Sequence, residues 1–198
     1  MCVFKCWCCT PYLINFKVTL RHLFFFFWFS AGTSYGVSTL YLLAALRDNM
    51  AQRKAIDDDS MRWSPCVYGT EQEPAKAKIA YEHMRRGFSE NNEAEEIKEK
   101  EQLQILQGDL LQTIPKQNFK KSSLDALLLD IWAPVALPTL QLLEPALRPG
   151  AILFIDNTVT SRDRYKDLLN YIDDPTKGWQ SQTLPFTGGF DVAVKMGK

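Results

Sequence analysis

Residues 23–36 read LFFFFWFSAGTSYG, and this stretch decides the fold. Leu23–Phe29 is continuously apolar, and Gly32-Thr33-Ser34-Tyr35-Gly36 follows almost at once. A short apolar run ending in a glycine turn has the pattern of a central parallel strand buried on both faces. A transmembrane helix needs about 20 apolar residues, and extending this run backwards meets His22, Arg21 and Lys17. A signal-peptide reading would cleave near Ser30-Ala31-Gly32 and so remove the strand that the turn requires. Glycine allows backbone angles and close approaches that a side chain blocks. A helix starting after such a turn aims free N–H groups at a carboxylate or phosphate. The spacing is G-x-x-x-G rather than G-x-G-x-x-G, which argues against a nicotinamide-dependent oxidoreductase.

Working outward, strands and helices alternate. Tyr35–Arg47 places Val37, Leu40, Tyr41, Ala44 and Ala45 at helical spacing. Asp48–Ser64 is polar and reads as a surface connection. Cys66–Thr70 is a second strand, and Pro74 starts a helix running to about Arg86. Ser89–Gln102 is densely charged and reads as a solvated segment. Leu103–Gln107, Asp125–Leu129 and Ala151–Ile155 are three more strands. Pro134–Leu147 is a helix with Pro138 near its first turn, and Arg148-Pro149-Gly150 is a turn. Ser161–Ile172 is a helix. Trp179–Leu184 and Phe190–Met196, with Gly188-Gly189 between them, pair as an antiparallel hairpin. This alternation predicts an α/β fold: a mostly parallel sheet with helices on both faces.

The chain has 198 residues, with 46% hydrophobic and 23% charged, so one domain with a core of its own is expected over residues 23–198. Lys plus Arg equals Asp plus Glu at 23 each, which leaves little attraction for nucleic acid. A small-molecule substrate is the expectation, with neither nucleic acid nor membrane as partner. Four of five cysteines fall in the first nine residues, and the only histidines are His22 and His83. Neither a zinc site nor a disulfide framework fits that arithmetic, and the body of the chain reads as a cytoplasmic protein. Residues 1–22 are atypical and read as a truncated or mispredicted start; mass spectrometry of the native N-terminal peptide tests this.

In an open α/β sheet, ligands sit beyond the carboxyl ends of the strands. Glu71, after strand two, suits the two hydroxyls of a ribose. Asp109, after strand three, suits either an adenine amino group or the N-cap of a following helix. Asp130 ends strand four, and Asp156-Asn157 ends strand five. Three oxygen donors without cysteine or histidine suit Mg²⁺ or Ca²⁺; the alternative is that all three are caps and turn residues.

The runs GTSYGVSTLYL, GTEQEPAKA, GDL, LLLDIWAP and RPGAILFIDNT occur in that order. Together they resemble the S-adenosylmethionine-dependent O-methyltransferases related to catechol O-methyltransferase, over about residues 30–198. The resemblance implies a Rossmann-like methyltransferase fold: a seven-stranded sheet with an antiparallel C-terminal hairpin, binding S-adenosyl-L-methionine. Gly32, Thr33 and Gly36 would line the cofactor and Ser38 would meet its methionine carboxylate. Glu71 would hold the ribose and Asp109 the adenine edge. Trp132 would lie beside the cofactor, with plain packing as the alternative. Asp130, Asp156 and Asn157 match the ligands of a divalent metal, Mg²⁺, with Asp130 also bordering the cofactor. Asp191 falls where the family hydrogen-bonds a substrate hydroxyl. The activity implied is transfer of a methyl group to a hydroxyl of a small, catechol-like molecule.

Three departures stand against this pattern. Ile131–Pro134 contains no lysine where metal-using relatives carry a base. Ser30 replaces an acidic residue two positions before the first glycine. Residues 1–22 do not resemble the family's N-terminal covering helices, and an apolar patch without that cover would favour a homodimer. Two alternatives stay open: a metal-independent methyltransferase, and a non-catalytic remnant that keeps the fold.

Overall fold

The computed structural model of the chain describes residues 27–55, 66–89 and 102–197. The atypical segment 1–22, the first residues of the predicted opening strand and most of the charged run 89–102 lie outside the described residues. Seven strands form one sheet in the order β3-β2-β1-β4-β5-β7-β6. They are β1 Phe27–Ala31, β2 Cys66–Glu71, β3 Leu103–Gln107, β4 Leu124–Leu129, β5 Leu147–Asp156, β6 Trp179–Leu184 and β7 Phe190–Lys195. β1 to β5 run parallel; β7 is antiparallel to both β5 and β6. The helices are α1 Val37–Ala55, α2 Pro74–Ser89, α3 Leu110–Thr113, α4 Ala133–Leu143 and α5 Lys166–Asp173. The predicted seven-stranded α/β sheet with its antiparallel C-terminal pair is thus the fold observed.

Strand alternation builds two cores. Phe29, Ala31, Leu127 and Leu129 point to the face covered by α4 and α5, against Leu140, Leu143, Leu168 and Ile172. Trp28, Ala126 and Leu128 point to the other face, against Leu42, Leu46 and Met84 of α1 and α2. β4 is buried at every position, so its sequence LDALLL shows no polar–apolar alternation.

Several boundaries differ from the sequence reading. α1 continues to Ala55 instead of stopping at Arg47. No Gly or Pro interrupts 37–55, and Leu46 and Asn49 both lie against the core, so polarity alone did not end the helix. Arg148-Pro149-Gly150 is part of β5 rather than a turn. The β4–β5 ladder is irregular between Leu124 and Ala126, and Gly150 takes φ +80 there. Arg148 Nε donates to Asp125 Oδ1 at 2.6 Å, while Asp125 Oδ2 accepts from Phe27 N at 2.8 Å. These bonds tie the starts of β1, β4 and β5 together. Pro134, not Pro138, sits in the first turn of α4, and Pro138 lies inside that helix, which stops at Leu143. α5 begins only at Lys166, with turns before it.

Candidate functional site

β1 has β2 on one side and β4 on the other, so the strand order reverses at β1, where open sheets form a ligand crevice. The parallel registers place Gly32, Glu71, Asp130 and Asp156 just at or beyond adjacent strand ends. Sequence and topology together bring these residues to one edge.

The glycine turn is held mainly by protein. Gly32 N donates to Thr70 Oγ1 at 3.1 Å, Thr33 N to Thr70 O at 2.8 Å and Ser34 N to Glu71 Oε2 at 2.9 Å. Gly32 takes φ +89, and a Cβ there would lie 2.1 Å from Asp130 O. Gly36 takes φ +90, and a Cβ would press on Met84 and Ala80 of α2. Both glycines are therefore required by backbone angle and by neighbouring protein atoms. Thr33 is buried over Gly69, and the Thr39 hydroxyl donates to Ser30 Oγ at 3.2 Å with Thr33 Oγ1 3.5 Å away. The first bond of the α1 ladder runs from Leu40 N to Gly36 O, so the N–H groups of Val37, Ser38 and Thr39 precede it.

Glu71 bridges two loops. Its Oε2 accepts from Ser34 N, and its Oε1 accepts from Glu73 N at 2.8 Å. The carboxylate is thereby fixed at the β2 end, and each oxygen retains acceptor capacity. Asp109 is the N-cap of α3: Oδ1 accepts from Leu111 N at 3.0 Å. Its Oδ2 accepts from Gln112 Nε2 at 3.2 Å.

Asp130 and Asp156 are electrostatically coupled neighbours. The Asp130 carboxyl is pushed up to about 6, first by the protein packed around it and then by the Asp156 charge; a hydrogen bond with Ser38 opposes the rise. The Asp130 residue nevertheless keeps an exposed side. Asp156 accepts from Asn157 twice, from its N–H and from Nδ2, both at 2.8 Å. Asn157 takes φ +61, a left-handed conformation that asparagine tolerates better than most residues. Among the described residues no group of three or more His, Cys, Asp or Glu is arranged to hold a metal ion. A cation here would rest on two carboxylates and the Asn157 amide oxygen.

Three features escaped sequence reading. Tyr165 is buried, and its hydroxyl donates to Ile131 O at 3.0 Å, immediately beside Asp130. Burial and the charges of Asp130 and Asp156 push that hydroxyl up to about 12. Reading 161–172 as one helix hid this residue. Thr158 is also buried and donates to Asp191 Oδ1 at 2.8 Å. Asp191 is thus an inward-facing residue of β7, bonded to the loop after β5. The Gly188-Gly189 turn joins the same loop: Gly188 O accepts from Val159 N at 2.9 Å and Thr160 N at 3.0 Å. Trp132, by contrast, is 70% exposed beside Asp130 and does not pack into the core.

A family model described as a methyltransferase domain matches residues 29–158, from β1 to the loop after β5. The chain belongs to the methyltransferase domain family. The matched span of this methyltransferase domain includes the glycine turn, Glu71, Asp109, Asp130, Asp156 and Asn157 and ends before Asp191. Solved structures share the fold. The O-methyltransferase TomG from Streptomyces achromogenes, involved in tomaymycin synthesis and in complex with SAM, is 16% identical with a TM-score of 0.71, covering 94% of this chain and 80% of that one. An O-methyltransferase from Bacillus cereus in complex with SAH is 14% identical with a TM-score of 0.69, covering 94% and 81%. The SAH-bound methyltransferase PaMTH1 from Podospora anserina is 12% identical with a TM-score of 0.67, covering 94% and 78%. No curated protein sequence matches the chain. Among the described residues no helix is long and apolar enough to cross a membrane.

Proposed function

We propose that this domain transfers a methyl group from S-adenosylmethionine to a hydroxyl of a small, catechol-like molecule, assisted by a divalent cation such as Mg²⁺. The observation that carries this reading is the meeting of Glu71, the glycine turn and the Asp130–Asp156–Asn157 group at adjacent strand ends within the methyltransferase-domain match. The neighbours in complex with SAM or SAH support the choice of cofactor.

The donors fit both groups. Glu71 presents a fixed carboxylate for ribose hydroxyls, and Ser38 with the first-turn N–H groups of α1 suits the methionine carboxylate. Gly32, Thr33 and Gly36 shape the turn between them. Asp109, held as a cap, borders the adenine side, and Trp132 offers an exposed aromatic face beside Asp130. Asp130, Asp156 and Asn157 supply oxygen donors alone, which suits Mg²⁺. Burial and then the Asp156 charge raise the Asp130 carboxyl, and a cation between the two carboxylates would relieve that repulsion.

Held by Asp130, Asp156 and Asn157, a divalent cation would supply the Lewis acidity that makes a substrate hydroxyl a better nucleophile at neutral pH. The chain's own contribution is alignment. The acceptor oxygen forms a bond to the methyl carbon while the carbon–sulfur bond breaks, and the electron pair stays on sulfur. Ile131–Pro134 offers no lysine base, so the cation alone would acidify the hydroxyl, whose proton would leave to solvent. Holding the two reactants in line is the main source of rate. Asp191, through Thr158, is assigned to the substrate side. The same reading makes a small molecule the partner, rather than nucleic acid or membrane, with a cytoplasmic location and pairing into a homodimer.

A second reading, a non-catalytic domain that keeps the fold, draws on Ser30 and Ala133. Ser30 is buried, with its hydroxyl engaged by Thr39 where relatives place an acidic contact. Calorimetric titration with S-adenosylmethionine, checked with S-adenosylhomocysteine, separates the two. Saturable one-site binding, followed by methylation of catechol that a chelator abolishes, is the expected result. Absence of binding by folded, monodisperse protein leaves only the non-catalytic reading, and turnover unaffected by chelator removes the cation.

A further inference from the structure

We infer that Tyr165 is a positioning residue: its buried hydroxyl pins the Ile131 carbonyl and thereby fixes the loop that carries Asp130 and Trp132. The inference rests on the reading of this edge as the methyl-transfer site. It begins from geometry. Asp130 and Trp132 flank Ile131, so the Ile131 peptide sets where both side chains leave the strand. That peptide is gripped from two sides. On one side Gly32 closes on it, since a Cβ there would lie 2.1 Å from Asp130 O and 2.7 Å from Ile131 Cγ2. On the other side Tyr165 donates to Ile131 O at 3.0 Å across 34 residues of sequence. Asp130 N completes the grip by donating to Ala31 O at 3.1 Å.

Tyr165 is only 4% exposed and stands just before α5, whose Leu168, Leu169 and Ile172 are buried in the same core. Tyr165 is tied to that packed helix, since its carbonyl accepts from Leu169 N at 2.9 Å. The bond matters because Trp132 is 70% exposed, so little of its side chain is held by the described core. An exposed aromatic side chain stays in one place only if its backbone is fixed. Without the hydroxyl, the Ile131 carbonyl loses a buried partner and the loop gains freedom to turn toward water. Misplacing a site group by about 1 Å is enough to cost roughly a hundredfold in rate.

The test is Tyr165→Phe in the full chain, which keeps the ring and removes only the oxygen. Hydrogen exchange followed by mass spectrometry should show a peptide covering 129–135 exchanging at least tenfold faster, with peptides from α1 and β5 unchanged. Calorimetry should show S-adenosylhomocysteine bound more weakly by about threefold or more, because binding must then order a loop that the wild type holds in place. A role in general stability alone would instead speed exchange across the whole domain and leave affinity intact. Unchanged exchange at 129–135 overturns the inference. If wild-type protein binds no S-adenosylhomocysteine, the methyltransferase reading fails, while the exchange measurement still decides the role of Tyr165. Should Tyr165→Phe not fold, NMR of ring-labelled wild-type tyrosine decides. A slowly exchanging Tyr165 hydroxyl proton supports the inference, and one exchanging at the rate of free water overturns it.

Discussion

At the residue scale, the most informative positions are those with two duties. Gly32 combines φ +89 with a Cβ position that overlaps the Asp130 carbonyl. Gly32→Ala should therefore destabilise the fold by more than about 3 kcal/mol, because strain and steric overlap add; urea unfolding measures this. Asp130 makes the opposite case. Its carboxyl rises from 3.8 to about 6 in the folded chain. Between those values the folded state holds a proton that the unfolded chain has released. Stability is therefore highest below the unfolded value, falls as pH rises through about 6, and stays lower above it. Asp130→Asn should remove that slope and be more stable at pH 7.5 by about 1 kcal/mol, a figure reduced for its solvent-facing side. If the proposed cation site is right, Mg²⁺ at 100 times its Kd should add about 2.7 kcal/mol to the wild type and little to the variant. Thermal unfolding with and without Mg²⁺ gives both comparisons.

Among the elements, the C-terminal hairpin shows how space and backbone angle separate. Gly178 and Gly189 take φ +72 and +81, both left-handed. A Cβ on Gly178 meets nothing within 4 Å, whereas one on Gly189 falls 2.4 Å from Val159 Cγ2 and 2.6 Å from Val159 N. Gly178→Ala should cost about 1 kcal/mol, from backbone angle alone. Gly189→Ala should cost clearly more and should also loosen the loop bearing Asp156 and Asn157; chemical denaturation of the two variants side by side makes the comparison. Strands were the most legible elements, because apolar runs bounded by glycine and proline mark them directly. Helix ends were less so. The polar tail of α1 stays helical because no breaker interrupts it, and α5 starts late because the chain first turns through 157–165 to bring Tyr165 under Ile131. Asp109 reads equally as cap or ligand in sequence, and the bond from Leu111 N shows the cap.

Across the whole molecule, the two ends of the sheet do different work. At the amino ends of the parallel strands, Glu144 accepts from Tyr171 Oη at 2.6 Å and Trp179 Nε1 at 3.0 Å. Lys195 donates to Glu144 O and Leu147 O. This brace joins α4, α5, β6 and β7 far from the crevice. Glu144→Ala should lower stability by about 3 kcal/mol, because the Trp179 N–H is left buried without its acceptor. Affinity for S-adenosylhomocysteine should not change, since the brace lies at the opposite edge from Glu71 and Asp130. Unfolding midpoints and calorimetry on one preparation check both halves.

By itself the sequence determined the α/β class, the parallel strands and the acidic and glycine residues that follow them, because burial on both faces and glycine turns leave a local imprint. Only the tertiary structure decided which candidate site residues are already committed to protein partners. Glu71 grips Ser34, Asp109 caps α3, Thr33 lies over Gly69 and Asp191 holds Thr158. The physical reason is range. Strand and turn signals arise from neighbours in the chain, whereas the Tyr165–Ile131 and Thr158–Asp191 bonds join residues more than thirty positions apart, which no local pattern records.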